Sequence, residues 1–152
     1  MGLTNSYVFE LCKKLKLNVI GVVPCNTTIS LRKNDIIIFN LDEKHKPGSH
    51  FICVHCDGKN VYYFDPIGFK CYNPYIMKIL MDTKLPIFEY EFPIQSLFSN
   101  FCGYFCIAFA IKASLKMSDN LFFDQFDCKN HSNNDEAVVQ IIINYIKNHL
   151  FF

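Results

Sequence analysis

The chain reads as an α+β fold: a small, mainly antiparallel sheet packed against a buried central helix, with helices at both ends. Three stretches predict it. Asp57-Gly58-Lys59-Asn60 separates two β-rich runs and marks a hairpin. Residues 102 to about 116 are apolar nearly all round, the pattern of a helix covered on every side. Apolar residues also recur at helical spacing near both ends of the sequence.

Taken in order, residues 5–17 predict a helix. Val8, Leu11, Cys12 and Leu15 share one face, and Thr4 or Asn5 is the cap. Residues 18–31 read as irregular, because Gly21, Pro24 and Asn26 interrupt them. Ile36-Ile37-Ile38-Phe39 reads as a buried strand. A charged loop over 42–48 contains Pro47. Strands over 49–56 and 61–64 then form the hairpin, which Pro66 and Gly68 end. A helix over 72–81 has Pro74 in its first turn. A strand over 87–92 stops at Pro93, and the loop 94–101 leads into the buried helix. Residues 117–134 read as a polar loop broken by Leu121-Phe122-Phe123. Ser132-Asn133-Asn134-Asp135 resembles a capping box, opening a last helix striped by Val139, Ile142, Ile143, Ile146 and Leu150.

The length, 152 residues, suits one domain over 1–152 with a substantial core; the 51% apolar and 19% charged content excludes a disordered chain. A net charge of +1 lacks the basic footprint of a dedicated nucleic-acid binder. Small Lys clusters (Lys13, Lys14 and Lys16; Lys44 and Lys46) read as solvated faces and leave room for a weak DNA contact. No apolar run reaches the length of a membrane span, and the N-terminus lacks the apolar core of a signal peptide. The eight cysteines therefore read as mostly reduced thiols, several of them small core residues. Met1-Gly2-Leu3-Thr4-Asn5-Ser6 also fits the permissive N-myristoylation pattern.

The chemistry centres on Cys102. A cysteine in the first turn of a helix faces backbone N–H groups that favour negative charge, and so favour a thiolate nucleophile. His50 starts one strand of the hairpin and Asp65 ends the other, so both come to the same end of the sheet. The carboxylate can hold one imidazole nitrogen and leave the other to take the thiol proton. Gln95 can join the backbone N–H of Cys102 as an oxyanion donor, and Gly103 reads as keeping the site open to a substrate backbone. Taken singly, each is more often structural: a strand His, an Asp before Pro, a Cys in an apolar run. Their combination and order carry the signal.

Gly48-Ser49-His50-Phe51, Phe64-Asp65-Pro66-Ile67-Gly68-Phe69, and Gln95 followed by Cys102-Gly103-Tyr104-Phe105-Cys106 resemble the adenovirus-type cysteine endopeptidases (adenain-like), which are related to the SUMO-protease branch. The resemblance covers roughly 48–115 and keeps the order His, acid, Gln, Cys. It implies His50 as general base, Asp65 as its orienter, Cys102 as nucleophile and Gln95 as oxyanion donor. It implies cleavage of viral precursor polypeptides near Gly, in the virion and in the nucleus or cytoplasm of the infected cell; the chain is expected to be a monomer. The sequence requires no cofactor; in that family a viral peptide and DNA stimulate the enzyme. The chain departs from the family in having Phe51 where a Trp usually follows the His, which bears on that wall of the cleft. Its acid is Asp, as in SUMO proteases, and the chain is short.

Rival readings are weaker. Cys106 lies one turn deeper, where the helix field has faded. His55 faces opposite to His50 on the same strand. Cys53-Val54-His55-Cys56 has a zinc-like spacing, but its two cysteines project to opposite faces and no second pair completes a tetrahedral set. A deubiquitinase or SUMO-type isopeptidase, and a catalytically silent protease-fold binding module, remain as alternative functions.

Overall fold

The computed structural model describes residues 3–42 and 50–150. The N-myristoylation pattern at Met1-Gly2, most of the charged loop 42–48, and Gly48-Ser49 lie outside the described residues.

The elements run α1 (Asn5–Lys14), β1 (Val19–Pro24), β2 (Ile36–Asn40), β3 (Phe51–Cys56), β4 (Val61–Phe64), α2 (Pro74–Asp82), β5 (Ile87–Glu89), α3 (Cys102–Leu115), α4 (Asp119–Phe123) and α5 (Asn134–His149). The five strands form one sheet in chain order. It is mixed: β2–β3 and β3–β4 pair antiparallel at the centre, and β1–β2 and β4–β5 pair parallel outside them. The fold class is α+β, as expected, but the sheet has two parallel and two antiparallel pairings where a mainly antiparallel one is expected, because the crossovers into β2 and through α2 add parallel strands outside the hairpin.

Strand alternation builds two cores. Ile36, Ile38, Phe51, Cys53 and Phe64 face α1, α3 and α5, whereas Ile37, Phe39, Ile52, Val54, Val61 and Tyr63 face Ile76, Ile79 and Leu80 of α2. This second covering explains why β2 is a continuous apolar run, buried at all five residues. It also supplies the crossover that parallel β4 and β5 need.

Local chemistry sets the ends. The Thr4 hydroxyl accepts the Tyr7 N–H at 3.1 Å and caps α1. Asn73 accepts from Tyr75 and Ile76 and caps α2, with Pro74 at its first position. In the hairpin turn Asp57 Oδ1 accepts the N–H groups of Lys59 and Asn60, and Gly58 takes φ +88°.

The structure differs from the sequence reading at three further places. Residues 19–24 form β1 where an irregular segment is expected. A register shift between Val19 and Gly21 breaks the alternation, and Pro24 is tolerated because β1 is an edge strand. Residues 119–123 form α4 within the expected loop, capped by Ser118 and burying Phe122 and Phe123. In α5, Ile142 of the expected stripe is buried and Val139, Ile146 and Leu150 pack partly buried on the same core, but Ile143 is 37% exposed and Val138 and Ile141 are buried in addition. Asn133, its cap position, makes no side-chain cap bond, so the expected capping box does not form.

The main core converges on Phe64. Its ring stacks on Phe109 of α3 at 4.5 Å with a 5° interplanar angle, and it also meets Tyr90, Phe122 and Phe123. This fixes α3 along the sheet, running from the open end of the hairpin towards its turn. Phe109→Ala, which opens a cavity in this stack, is expected to cost about 3–5 kcal/mol, readable as a lowered denaturation midpoint with unchanged slope.

Candidate active site

Three element ends meet at the open end of the hairpin. β3 begins one residue after His50, β4 ends one residue before Asp65, and α3 begins at Cys102. Pairing of Cys53 with Phe64 brings the first two to the same end of the sheet, offset by two residues in register. The backbone places His50 further: its carbonyl accepts the Leu41 N–H at 2.9 Å, just past the end of β2.

His50 Nε2 and Asp65 Oδ1 lie 2.8 Å apart. Asp65 is 1% exposed, and the same Oδ1 accepts the Ile67 N–H at 2.9 Å, which orients the carboxylate. Its Oδ2 is buried without a hydrogen-bond partner among the described residues. Cys102 is near enough to the ring to act, beside Asp65, among the groups that raise the imidazole pKa. With Nε2 engaged by Asp65, Nδ1 is the nitrogen left for the sulfur. Burial pulls the imidazole pKa down. The bond to Asp65 and the negative charge of Asp65 and Cys102 outweigh it and raise the value from 6.5 to about 9.

Cys102 is 6% exposed at the first position of α3. Phe101 occupies the cap position, and its side chain cannot accept a bond from the first-turn N–H groups of α3. Cys106, one turn on, is fully enclosed, and burial pushes its thiol well above the ordinary value.

Gln95 is 2% exposed. Its backbone N–H and that of Ile94 both donate to Pro66 O, at 3.0 and 2.9 Å, which ties it to the turn after Asp65. Gly68 makes that approach feasible: it has φ +90°, and a Cβ there would stand 2.8 Å from Pro93 N. The Gln95 side chain turns into its own loop, where Nε2 donates to Ser99 O at 3.0 Å. The second Nε2 hydrogen is not used by that bond.

Two expectations are corrected. Gly103 does not open the site to substrate. It faces α1, where an added Cβ would meet Leu3 Cδ1 at 2.9 Å and Val8 Cγ2 at 3.1 Å, so its small size lets α1 close over the start of α3. Phe51 is not a cleft wall; it is 2% exposed within the main core.

The rival residues lie elsewhere. His55 is at the other end of β3, stacked on Tyr62 with ring centroids 5.9 Å apart, and burial lowers its pKa. Cys53 and Cys56 belong to different cores on opposite faces of the sheet. Among the described residues no group of three or more His, Cys, Asp or Glu is arranged to hold a metal ion, and no helix is long and apolar enough to cross a membrane. A large cavity of about 550 Å³ also lies away from Cys102, at the far end of α3. Lys112, in the last turn of α3, lines it where helix C-terminal carbonyls favour cations: its Nζ donates to Met117 O at 3.0 Å and pairs with Asp119 at 2.9 Å.

Sequence reading missed Ser99, Asn134 and Asp135, which hold the Gln95 loop. The last two were legible only as the start of a helix.

The folded imidazole binds its proton more tightly than an unfolded one. That contribution to stability is complete below pH 6.5 and is lost as pH rises through about 9. An NMR titration of His50 is expected to show a midpoint near 9, moved to lower pH in Asp65→Asn, which removes the carboxylate charge. A midpoint unaltered by Asp65→Asn would detach the carboxylate from the imidazole. No protein-family model matches the chain, and no curated protein matches it.

Proposed function

We propose that the protein is a cysteine endopeptidase acting through Cys102, His50 and Asp65. The observation that carries this reading is the buried Asp65–His50 pair at 2.8 Å, at the end of the sheet where Cys102 opens α3 and adds to the rise of the imidazole pKa.

In this mechanism His50 takes the Cys102 thiol proton, the sulfur attacks the substrate carbonyl carbon, and the C=O π electrons move to oxygen. The Cys102 N–H and the free Nε2 hydrogen of Gln95 stabilise that oxyanion. As the tetrahedral species collapses, the C–N bond breaks and the His50 imidazolium gives its proton to the leaving amine. A water then loses a proton to His50 and attacks the thioester, releasing a carboxylic acid and restoring the thiol–imidazole pair. Asp65 keeps the ring oriented and stabilises its cationic form.

An extended polypeptide is the substrate class the surroundings favour. Leu97 and Phe98 are 70% and 99% exposed on the loop before Cys102, and Phe69 and Tyr72 are 55% and 71% exposed beyond the turn after Asp65. These exposed apolar side chains, on the loops that precede Cys102 and follow Asp65 in the chain, offer contacts for an extended polypeptide. By resemblance, the substrate is a viral precursor cut near Gly.

Two substitutions test the reading. Cys102→Ala is expected to abolish cleavage of a Gly-containing peptide panel while circular dichroism stays native. Asp65→Asn is expected to slow turnover by about 10³–10⁴-fold, the scale of losing the group that orients the imidazole. Near-normal turnover by Cys102→Ala would remove the nucleophile, and full activity of Asp65→Asn would remove the acid.

A further inference from the structure

The first turn of α5 reaches back to the loop that feeds Cys102. Asn134, 3% exposed, donates from Nδ2 to Ile94 O and to Asp127 O, each at 2.8 Å, and its Oδ1 accepts the Asp127 N–H at 3.0 Å. Asp135 Oδ1 accepts the Ser99 hydroxyl at 2.8 Å. Ser99 Oγ accepts the Phe101 N–H at 3.1 Å, and Ser99 O accepts the Gln95 amide at 3.0 Å. The segment 94–101 is thus held near both ends by adjacent residues of one helix, across sequence separations of 40 and 36.

An acidic residue in a first helical turn commonly serves that helix's own N–H groups. Here Asp135 Oδ1 accepts from a distant hydroxyl, while the cap residue of α5, Asn133, makes no side-chain cap bond. The contact bears on one part of the site. The amide plane of Gln95 is set by Ser99 O, and Ser99 is set by Asp135. His50, Asp65 and the body of α3 are held by other contacts: the hairpin register, the Ile67 N–H and the Phe64–Phe109 stack.

We propose that Asp135 is a positioning residue for the oxyanion site: through Ser99 it fixes the Gln95 amide and the entry into α3, and does not act on the thiol–imidazole pair. This rests on the cysteine-peptidase reading.

Two small probes separate these effects in the full-length protein. Iodoacetamide alkylates a thiolate by displacing iodide and forms no oxyanion. p-Nitrophenyl acetate acylates it through a tetrahedral oxyanion that collapses to a thioester and p-nitrophenolate. Removing an oxyanion donor outright costs about 10²–10³-fold, so its misplacement in Asp135→Ala is expected to slow acylation of Cys102 by about tenfold, with alkylation unchanged. Asp135→Asn keeps an oxygen that accepts the Ser99 hydroxyl and should acylate like wild type. Ser99→Ala should match Asp135→Ala, and the double variant should add nothing, because the two act in series.

Equal loss of both rates, full acylation by Asp135→Ala, or a slow Asp135→Asn would overturn the proposal. If Asp135→Ala does not fold, Ser99→Ala breaks the same contact and carries the comparison. Should wild-type Cys102 react no faster than the other thiols with either probe, the peptidase reading fails. The clamp is then decided by hydrogen exchange at the Phe101 amide: acceleration in Asp135→Ala supports it, and an unchanged rate overturns it.

Discussion

The contact on which the rest depends is the face-to-face stack of Phe64 and Phe109. One ring belongs to the last residue of β4, immediately before Asp65, and the other to α3 two turns beyond Cys102. Seven residues of helix span about 10 Å, so seating Phe109 over Phe64 carries the start of α3 past the strand end, to the level of Asp65 and His50. The hairpin adds the third member without further machinery. Antiparallel pairing brings the chain entering β3 beside the chain leaving β4. All three chemical groups therefore stand at element ends, where backbone leaves the regular core and side chains can meet.

Burial acts on each of these groups differently. A carboxylate 1% exposed is costly unless its charge is met, and the imidazole meets it at 2.8 Å. The same enclosure that disfavours an isolated imidazolium strengthens its attraction to the carboxylate, and the balance leaves His50 raised to about 9. Position along α3 then separates two cysteines that look alike in sequence. Cys102 has a first-turn field and a basic neighbour. Cys106, four residues deeper, has only apolar wrapping, and burial drives its thiol away from ionisation.

Where one interaction period dominated, the sequence was legible. The hairpin, the all-apolar α3 and the capped α1 and α2 arise from turn chemistry and hydrophobic spacing, and from them the convergence of His50 and Asp65 is a matter of geometry. β1 was hidden because a bulge near Ile20 breaks the period of two that identifies strands, and because Gly21 and Pro24 are poor strand residues that only an edge accommodates. α4 was hidden by its length: five residues give no full stripe, and its two buried rings, Phe122 and Phe123, are adjacent. Gly103 misled in another way. A glycine beside a nucleophile suggests room for substrate, yet the room is filled by Leu3 and Val8 of the chain itself.

The Gln95 loop shows why a site is harder to read than its scaffold. Hydrophobic pattern reports which face of an element is covered, because many residues share that task. A polar contact such as Ser99–Asp135 is made once, between residues 36 apart, and leaves no period behind. Asn134 and Asp135 have the composition of an ordinary helix start, and their local role would have sufficed to explain them. Only the fold shows that their hydrogen bonds leave the helix. The loop they hold has Pro66 on one side and α5 on the other, so its shape depends on two contacts distant in sequence. Exposed Leu97 and Phe98 lie between the tied ends, at Gln95 and Ser99. That arrangement holds the Gln95 amide at one end of the segment while leaving two apolar side chains in solvent, and the proposed peptidase site would need both at once.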